Sequence, residues 1–255
     1  MSLRLSLPFL LLTLFSDTAN AQRDPSHRID KRTGVSHDEY YKLGPDSLVM
    51  EGVPQGQFSE AKVIQSNVFP GHQHTYWVYV PAQYDPTKPT ALMVFNDGAA
   101  MKAEYNISDN PDHHGIMGSS SGGCAAFGVA WFRPDHFRKA ITFSAALVDL
   151  RGEHIYPELV MASEKKPIRI FMQDGRNDYR LAKEGPYNPK MDFFYQNVRL
   201  KDALETKGYD INYSWGISNH GQKHGGSIFP SMMRWLWRYQ HVSTDPYDKL
   251  EQTFY

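Results

Sequence analysis

The sequence predicts an α/β fold in which helices cover both faces of a mostly parallel sheet. Short apolar segments alternate with helix-length segments from residue 91 to residue 239. The later strand candidates are almost continuously apolar, which is typical of parallel strands buried on both faces. The chain has 255 residues, 41% of them hydrophobic, which is enough for one globular domain with a full core.

Seven strands and three helices are expected in this domain. The first two strands alternate in polarity and are separated by PGHQ at 70–73, so they should form an antiparallel hairpin. Apolar runs predict the strands, and apolar positions between turn residues predict the helices. The strands are expected at 61–69, 75–81, 91–97, 114–117, 139–145, 168–174 and 211–217, and the helices at 122–132, about 189–207 and 229–239.

The N-terminus has the pattern of an export signal. Arg4 precedes an apolar stretch at 5–15, and Ala19 and Ala21 form the A-x-A arrangement at which such signals are cleaved. We expect a signal peptide at 1–21, an exposed N-terminal arm at 22–51 and a single domain at 52–255, exported to the periplasm or the cell exterior. A lipid or membrane anchor is not expected, because Cys124 lacks the context of a lipid-attachment site.

Composition narrows the class of partner. The chain has 27 basic and 28 acidic residues and a net charge of −1. A chain of this net charge has no strong electrostatic field that would attract nucleic acid or an anionic membrane surface. A small-molecule partner agrees better with this composition. The sequence indicates no oligomeric state.

A serine run lies where a strand leads into a helix. Residues 115–124 read GIMGSSSGGC, and Gly118, Ser120 and Gly122 fill the G-x-S-x-G positions of a nucleophile elbow. The close packing of that turn requires small residues two positions before and after the nucleophile. Ser120 is therefore the predicted nucleophile, and the backbone N–H of Ser121 is a predicted oxyanion donor. The alternative is an ordinary Ser/Gly turn.

A serine nucleophile needs a base and a carboxylate, which should follow in the order Ser, Asp, His. DGRND at 174–178 offers Asp174 and Asp178; Asp178 is favoured because the turn can bring its side chain back to the strand tips. NHGQKHGG at 219–226 offers His220 and His224; His220 is favoured as the residue nearer the strand tip. A metal site built on these two histidines, with His113 and His114 as further candidate ligands, is the weaker interpretation, since the sequence does not show a third ligand beside them. Neither a metal nor a cofactor is expected.

The loop after the third predicted strand should supply the second oxyanion donor. It reads NDGAAM at 96–101, in which Gly98 and Ala99 offer accessible backbone N–H groups. A plain turn is the alternative.

With these motifs, the chain resembles the putative-esterase family of α/β-hydrolases, the group around enterochelin esterase and feruloyl esterases. The matching stretches include YWVYVPAQYDP, LMVFNDGAA, GSSSGGCAAFGVAW, PIRIFMQDGRND and NHGQKHGGSIFPSMMRWLWRY. The resemblance implies an α/β-hydrolase three-layer sandwich and hydrolysis of a small-molecule or carbohydrate-linked carboxylic ester. Ser120, Asp178 and His220 match the family's nucleophile, acid and base, and an acyl-enzyme intermediate is implied.

The chain departs from this family in one segment. Only 118 − 98 = 20 positions separate Gly98 from Gly118, where the family carries a helix, a central strand and a second helix. The sheet should therefore be one central strand short, and its second and third strands either pair directly or leave a gap. The alternative function is accordingly a catalytically inactive relative of the fold, a binding protein or a truncated gene product.

Overall fold

A five-stranded parallel sheet forms the centre of the molecule. The computed structural model describes residues 29–96, 106–181 and 186–238, so the predicted signal peptide lies outside the described residues. The strands follow one another in the sheet in chain order. They are β5 (Leu92–Phe95), β6 (His114–Ser119), β7 (Lys139–Phe143), β8 (Arg169–Gly175) and β9 (Asp210–Gly216).

Helices cover both faces of this sheet. One face packs on α1 (Ser121–Phe132), α2 (Tyr156–Ala162) and α3 (Phe193–Thr206), and the other on α4 (Lys223–Leu236). Successive strand residues enter opposite cores because side chains alternate along a strand: Ile170 packs with Phe127 and Leu200, and Phe171 with Met232. The α/β-hydrolase three-layer sandwich predicted from the sequence is the architecture observed.

The N-terminal strands form two small sheets of their own. β2 (Lys62–Gln65) pairs antiparallel with β3 (Gln73–Tyr76), as the hairpin prediction required. The strand expected at 75–81 is divided, because β4 (Tyr79–Val80) leaves the hairpin and pairs with β1 (Gln57–Phe58).

The second and third predicted strands do not pair directly with each other in the described residues. Within the described residues, neither small sheet pairs with β5, which is the end strand of the large sheet and pairs directly with β6. Phe95 at the end of β5 is 52% exposed. The end of β5 is therefore less buried than the inner strands of the sheet, and Val94 is its buried residue.

Three element predictions need correction. The helix α2 was not expected, and α3 begins at Phe193 after a 3-10 turn at Pro189–Met191. The last helix begins at Lys223 rather than 229 and places Pro230 inside it, so His224 lies on a helix instead of a loop. Among the described helices, none has the length and apolarity needed to cross a bilayer.

Residues 36–46 lie in the segment predicted as an N-terminal arm. Two short 3-10 helices, His37–Tyr40 and Pro45–Ser47, shape this segment. It contacts the loop after β9 and the outer side of α4.

Candidate active site

The serine run forms a strained strand-to-helix turn. β6 ends at Ser119, α1 begins at Ser121, and Ser120 between them has φ 55° and ψ −123°. Ser120 and Ser144 are the two non-glycine residues of the described chain with positive φ. An L-residue adopts such a conformation at a cost, and strain of this kind is concentrated at functional sites.

Neighbouring backbone holds Ser120 in this conformation. The N–H of Ser120 donates to the carbonyl of Phe143 at 2.9 Å, and the carbonyl of Ser120 accepts from the N–H of Ala146 at 2.9 Å. Both partners lie at the carboxyl end of β7. The elbow is therefore fixed from the side as well as along the chain.

The glycines of the elbow do not share the same constraint. A Cβ on Gly118 would overlap the carbonyl group of Gly122, and a Cβ on Gly123 would lie 3.1 Å from the Cβ of Ala145. At Gly122 the nearest atom outside the local helix backbone is the Cβ of Asn96 at 3.4 Å, an ordinary contact. The close packing expected at Gly118 is therefore present. The close packing expected at Gly122 is found instead at the next residue, Gly123.

Asp178 and His220 are joined by a hydrogen bond. Asp178 follows β8 in a turn in which its N–H donates to the carbonyl of Gly175 at 3.0 Å. His220 follows β9, and its Nδ1 lies 2.7 Å from Oδ1 of Asp178. The side chains are 0% and 14% exposed for Asp178 and His220. An Nδ1–H that donates to the carboxylate leaves Nε2 of His220 as the acceptor, the tautomer required of a general base.

Aromatic rings enclose the imidazole of His220. The ring of Tyr179 lies 4.4 Å from it at an interplanar angle of 32°, and the ring of Phe193 meets it edge-on at 5.1 Å. These two residues were not singled out in the sequence; their signal is an aromatic residue directly after Asp178 and another at the start of α3. Their packing limits the orientations available to the imidazole.

Ser120 shares a sheet edge with the Asp178–His220 pair. β6, β8 and β9 are parallel, so their carboxyl ends lie at the same edge. In the described part of the chain, no hydrogen bond joins Ser120 Oγ to His220. Catalytic hydrogen bonds are often long without substrate, so this arrangement is compatible with a triad.

Asp174 is a buried carboxyl group behind this pair. It is 0% exposed, and its Oδ1 accepts the N–H of Gly175 at 2.7 Å. Burial, together with the neighbouring carboxylate of Asp178, raises the pKa of Asp174 well above its usual range. It contacts the acid rather than the histidine, so the structure brings Asp178, not Asp174, to the base.

His224 is a buried residue of α4. Gln173 Nε2 donates to its Nδ1 at 2.9 Å, and its Nε2 lies 3.2 Å from Oγ of Ser214. Burial lowers the pKa of His224 to about 4. Its hydrogen-bond partners are an amide and hydroxyls, so it does not have the carboxylate partner of a general base.

The oxyanion loop is only partly described. Ser121 is the first residue of α1, where a backbone N–H has no partner within the helix. Gly98 and Ala99 lie outside the described residues. Asn96, just before them, donates from Nδ2 to the carbonyl of Gly122 at 2.8 Å and from its N–H to the carbonyl of Met117 at 2.6 Å. The start of the loop is thus attached to the elbow through a residue that sequence reasoning passed over.

Metal ligands are not clustered in the described ranges. In residues 29–96, 106–181 and 186–238, no three His, Cys, Asp or Glu side chains are grouped so as to hold a metal ion. His114 is buried between the carbonyls of Ser108 and His136, at 2.7 and 2.8 Å. The positions of these side chains in the described ranges therefore give the alternative metal site no support.

The parallel sheet, the elbow at Ser120 and the Asp178–His220 pair define an α/β-hydrolase. Residues 99–224 match the model of the family described as "Putative esterase". The resemblance drawn from the motifs is confirmed by this match. No curated protein sequence showed a significant match to the chain.

Solved structures of esterases have a similar fold. A ferulic acid esterase is 13% identical with a TM-score of 0.53, over 71% of this chain and 99% of that chain. The S-formylglutathione hydrolase from Staphylococcus aureus is 13% identical with a TM-score of 0.54, over 72% and 99%. The ferric enterobactin esterase from Salmonella typhimurium is 13% identical with a TM-score of 0.54, over 76% and 62%. At this identity the similarity establishes the α/β-hydrolase fold.

Proposed function

We propose that the protein is a serine esterase that hydrolyses a carboxylic ester through Ser120, His220 and Asp178. The observation that carries the proposal is the 2.7 Å hydrogen bond between His220 Nδ1 and Asp178 Oδ1. It lies at the sheet edge where the strained elbow presents Ser120. The esterase family match and the esterases among the structural neighbours support the same reaction class.

In the proposed reaction, Oγ of Ser120 attacks the ester carbonyl while Nε2 of His220 accepts its proton. Asp178 holds the imidazole and stabilises its protonated form. His220 then returns the proton to the departing alcohol, leaving Ser120 acylated. A water molecule activated by His220 hydrolyses this intermediate and regenerates the serine.

Charge that develops on the carbonyl oxygen needs preorganised donors. We assign the backbone N–H of Ser121 as one donor and that of Gly98 or Ala99 as the other. The hydrogen bonds from Asn96 to Gly122 and Met117 support this assignment, because they attach the start of the loop to the elbow.

The proposed substrate is a small-molecule or carbohydrate-linked ester, and the proposed location is the periplasm or the cell exterior. The A-x-A pattern that ends at Ala21 supports export. When the full chain is expressed in a host that exports it, the recovered protein should begin at Gln22. Recovery of the uncleaved chain from the cytoplasm would contradict this location.

The test of function compares two adjacent serines, Ser119 and Ser120. We expect the protein to hydrolyse p-nitrophenyl acetate and the Ser120→Ala variant to lose roughly 10⁴-fold or more of the rate, because the nucleophile is gone. A fluorophosphonate probe should label wild-type protein once and leave Ser120→Ala unlabelled. Steady-state kinetics and intact mass measure the two effects.

Ser119→Ala is the matched control, since it removes a hydroxyl one residue away at the end of β6. It should keep both activity and labelling. Equal slow hydrolysis by wild type and Ser120→Ala, with no labelling of either, would reject the esterase and favour the inactive relative of the fold.

A further inference from the structure

The loop that carries His220 is held from two sides. On one side, Asn177 Nδ2 donates to the carbonyl of Ile217 at 2.6 Å, and the N–H of Asn177 donates to the carbonyl of Ser218 at 3.2 Å. Asn177 precedes the acid Asp178. The carbonyl groups of the histidine loop are therefore occupied by the acid loop.

The N–H groups on the other side of this loop are occupied by the N-terminal segment. Oδ1 of Asp38 accepts the N–H of Asn219 at 2.9 Å, and Oη of Tyr41 accepts the N–H of Ile217 at 2.8 Å. Ser36 Oγ accepts from Nδ2 of Asn219 at 3.0 Å. Three hydrogen bonds thus reach two loop residues from a segment more than 170 positions away in the chain.

The same segment also packs against the helix that follows the loop. The ring of Tyr41 stacks on the imidazole of His224, with centroids 4.3 Å apart and an interplanar angle of 23°. Gly216 and Gly221 border the loop, and a Cβ on either would overlap Tyr41 Oη or a carboxylate oxygen of Asp38. The contact is therefore close along the loop's whole length.

We infer that residues 36–41 form a strap that positions the catalytic histidine. Asp38 and Tyr41 are positioning residues, because they fix Ile217 and Asn219 and so place His220 against Asp178. The expected effect of the strap on the rate rests on the proposed function. Its expected effect on the His220–Asp178 hydrogen bond does not depend on that function. A displacement of about 1 Å in a catalytic group can cost ~100-fold in rate, so the strap need move the loop only slightly to matter.

The first test replaces Asp38. We expect Asp38→Ala to lower kcat for p-nitrophenyl acetate roughly 10- to 100-fold with little change in KM, because the base is misplaced while the substrate site is intact. Asp38→Asn should restore kcat, since its amide oxygen can still accept the N–H of Asn219. Asp46→Ala is the matched control: it removes another aspartate of the same arm, paired with Arg234 at 2.9 Å on the surface, and should leave kcat unchanged.

A second readout does not need activity. In protein labelled with ¹⁵N-histidine, the Nδ1 proton of His220 should give a downfield signal that disappears in His220→Gln. We expect this signal to broaden or vanish in Asp38→Ala and to persist in Asp38→Asn and Asp46→Ala. An inactive wild type with these signal changes would reject the esterase and keep the strap.

Other outcomes would overturn the strap. The first is an unchanged Nδ1 signal and kcat in Asp38→Ala. The second is a loss of kcat in Asp38→Asn equal to that in Asp38→Ala, which would assign the effect to the charge of Asp38. The third is an equal loss of kcat in Asp46→Ala, which would assign the effect to general docking of the arm. If Asp38→Ala does not fold, Tyr41→Phe decides, because it removes the hydroxyl acceptor and keeps the stacked ring. Unchanged kcat and signal in Tyr41→Phe would then reject the strap.

Discussion

Two buried carboxyl groups stand four residues apart at the end of β8, and their surroundings give them different roles. Asp178 is hydrogen-bonded to His220, whereas Asp174 is fully buried and faces Asp178. Two adjacent buried carboxylates repel each other, so one of them retains its proton. The raised pKa of Asp174 identifies it as that residue.

The pH dependence of stability follows from this assignment. A protonated Asp174 in the folded state and an ionised one in the unfolded chain mean that folding takes up a proton above the ordinary aspartate pKa of about 4. This contribution to stability is fully present below that pKa and is lost as the pH rises toward the folded pKa, by up to ~1.4 kcal/mol per pH unit. Asp174→Asn cannot ionise, so its stability relative to wild type should increase as the pH rises above the ordinary aspartate pKa of about 4.

Urea unfolding at several pH values measures this difference. Asp174→Ala is the control: it should show the same relative trend with pH but be less stable than Asp174→Asn throughout, because it cannot accept the N–H of Gly175. A difference between Asp174→Asn and wild type that stays flat or decreases with pH would mean that Asp174 is ionised in the folded protein.

Sequence reasoning at this scale depended on position along the strands. Asp178 was favoured because its turn can bring the side chain back to the strand tips, and His220 because it lies nearer a strand tip. The structure joins these two residues. The role of His224 was harder to read, because α4 begins six residues before the apolar pattern and includes Gly225 and Gly226 in its first turn. The contribution of Asp38 and Tyr41 has no local signal, since it arises from a contact across the whole chain.

At the scale of elements, the strands were predictable where they are buried on both faces. β7 and β8 are buried along their entire length, so their apolar runs are continuous. The seven-residue helix α2 was missed, because it is short and carries Pro157 in its first turn, where proline is tolerated but reads as a helix breaker. The hairpin strands were predicted too long, since β4 leaves to pair with β1.

The elbow is the element whose sequence motif can be tested most directly. Gly118→Ala should destabilise the protein by roughly 1–3 kcal/mol or more and abolish activity, because its Cβ overlaps the carbonyl of Gly122 and the backbone must open. Gly122→Ala should leave stability unchanged or higher, since alanine is the better helix former by up to about 1 kcal/mol. Urea unfolding and hydrolysis of p-nitrophenyl acetate compare the two variants.

The pair is matched, because both substitutions add one methyl group to the same turn. Equal destabilisation by both would show that the motif's second glycine is needed for packing, as the sequence had suggested. A stable and active Gly118→Ala variant would contradict the observed close approach of Gly118 and Gly122.

At the scale of the whole molecule, the β-structure of the described residues is divided into parts of unequal burial. Residues of β6, β7 and β8 lie between two helical layers, while β2 and β3 are mostly exposed, with Val63 at 55% and Ile64 at 45%. The family resemblance indicated the missing strand from chain length. Which of the two sheet forms would result could not be read from the sequence, since it depends on whether β5 reaches the hairpin.

Hydrogen exchange should separate these parts. The residues of the β2–β3 hairpin bury little apolar area, so their amides should exchange through local opening. Amides of β7 and β8 should exchange only through global unfolding. Gly118→Ala provides the control, because it should lower protection in β7 and β8 by the same free energy as it lowers global stability and leave the hairpin unaffected. Two results would contradict this expectation: equal protection of the hairpin and large-sheet amides in wild type, or an equal fall of protection in both when Gly118 is replaced by Ala. Either result would show that the hairpin unfolds together with the large sheet, so that the cooperative unit does not end at β5.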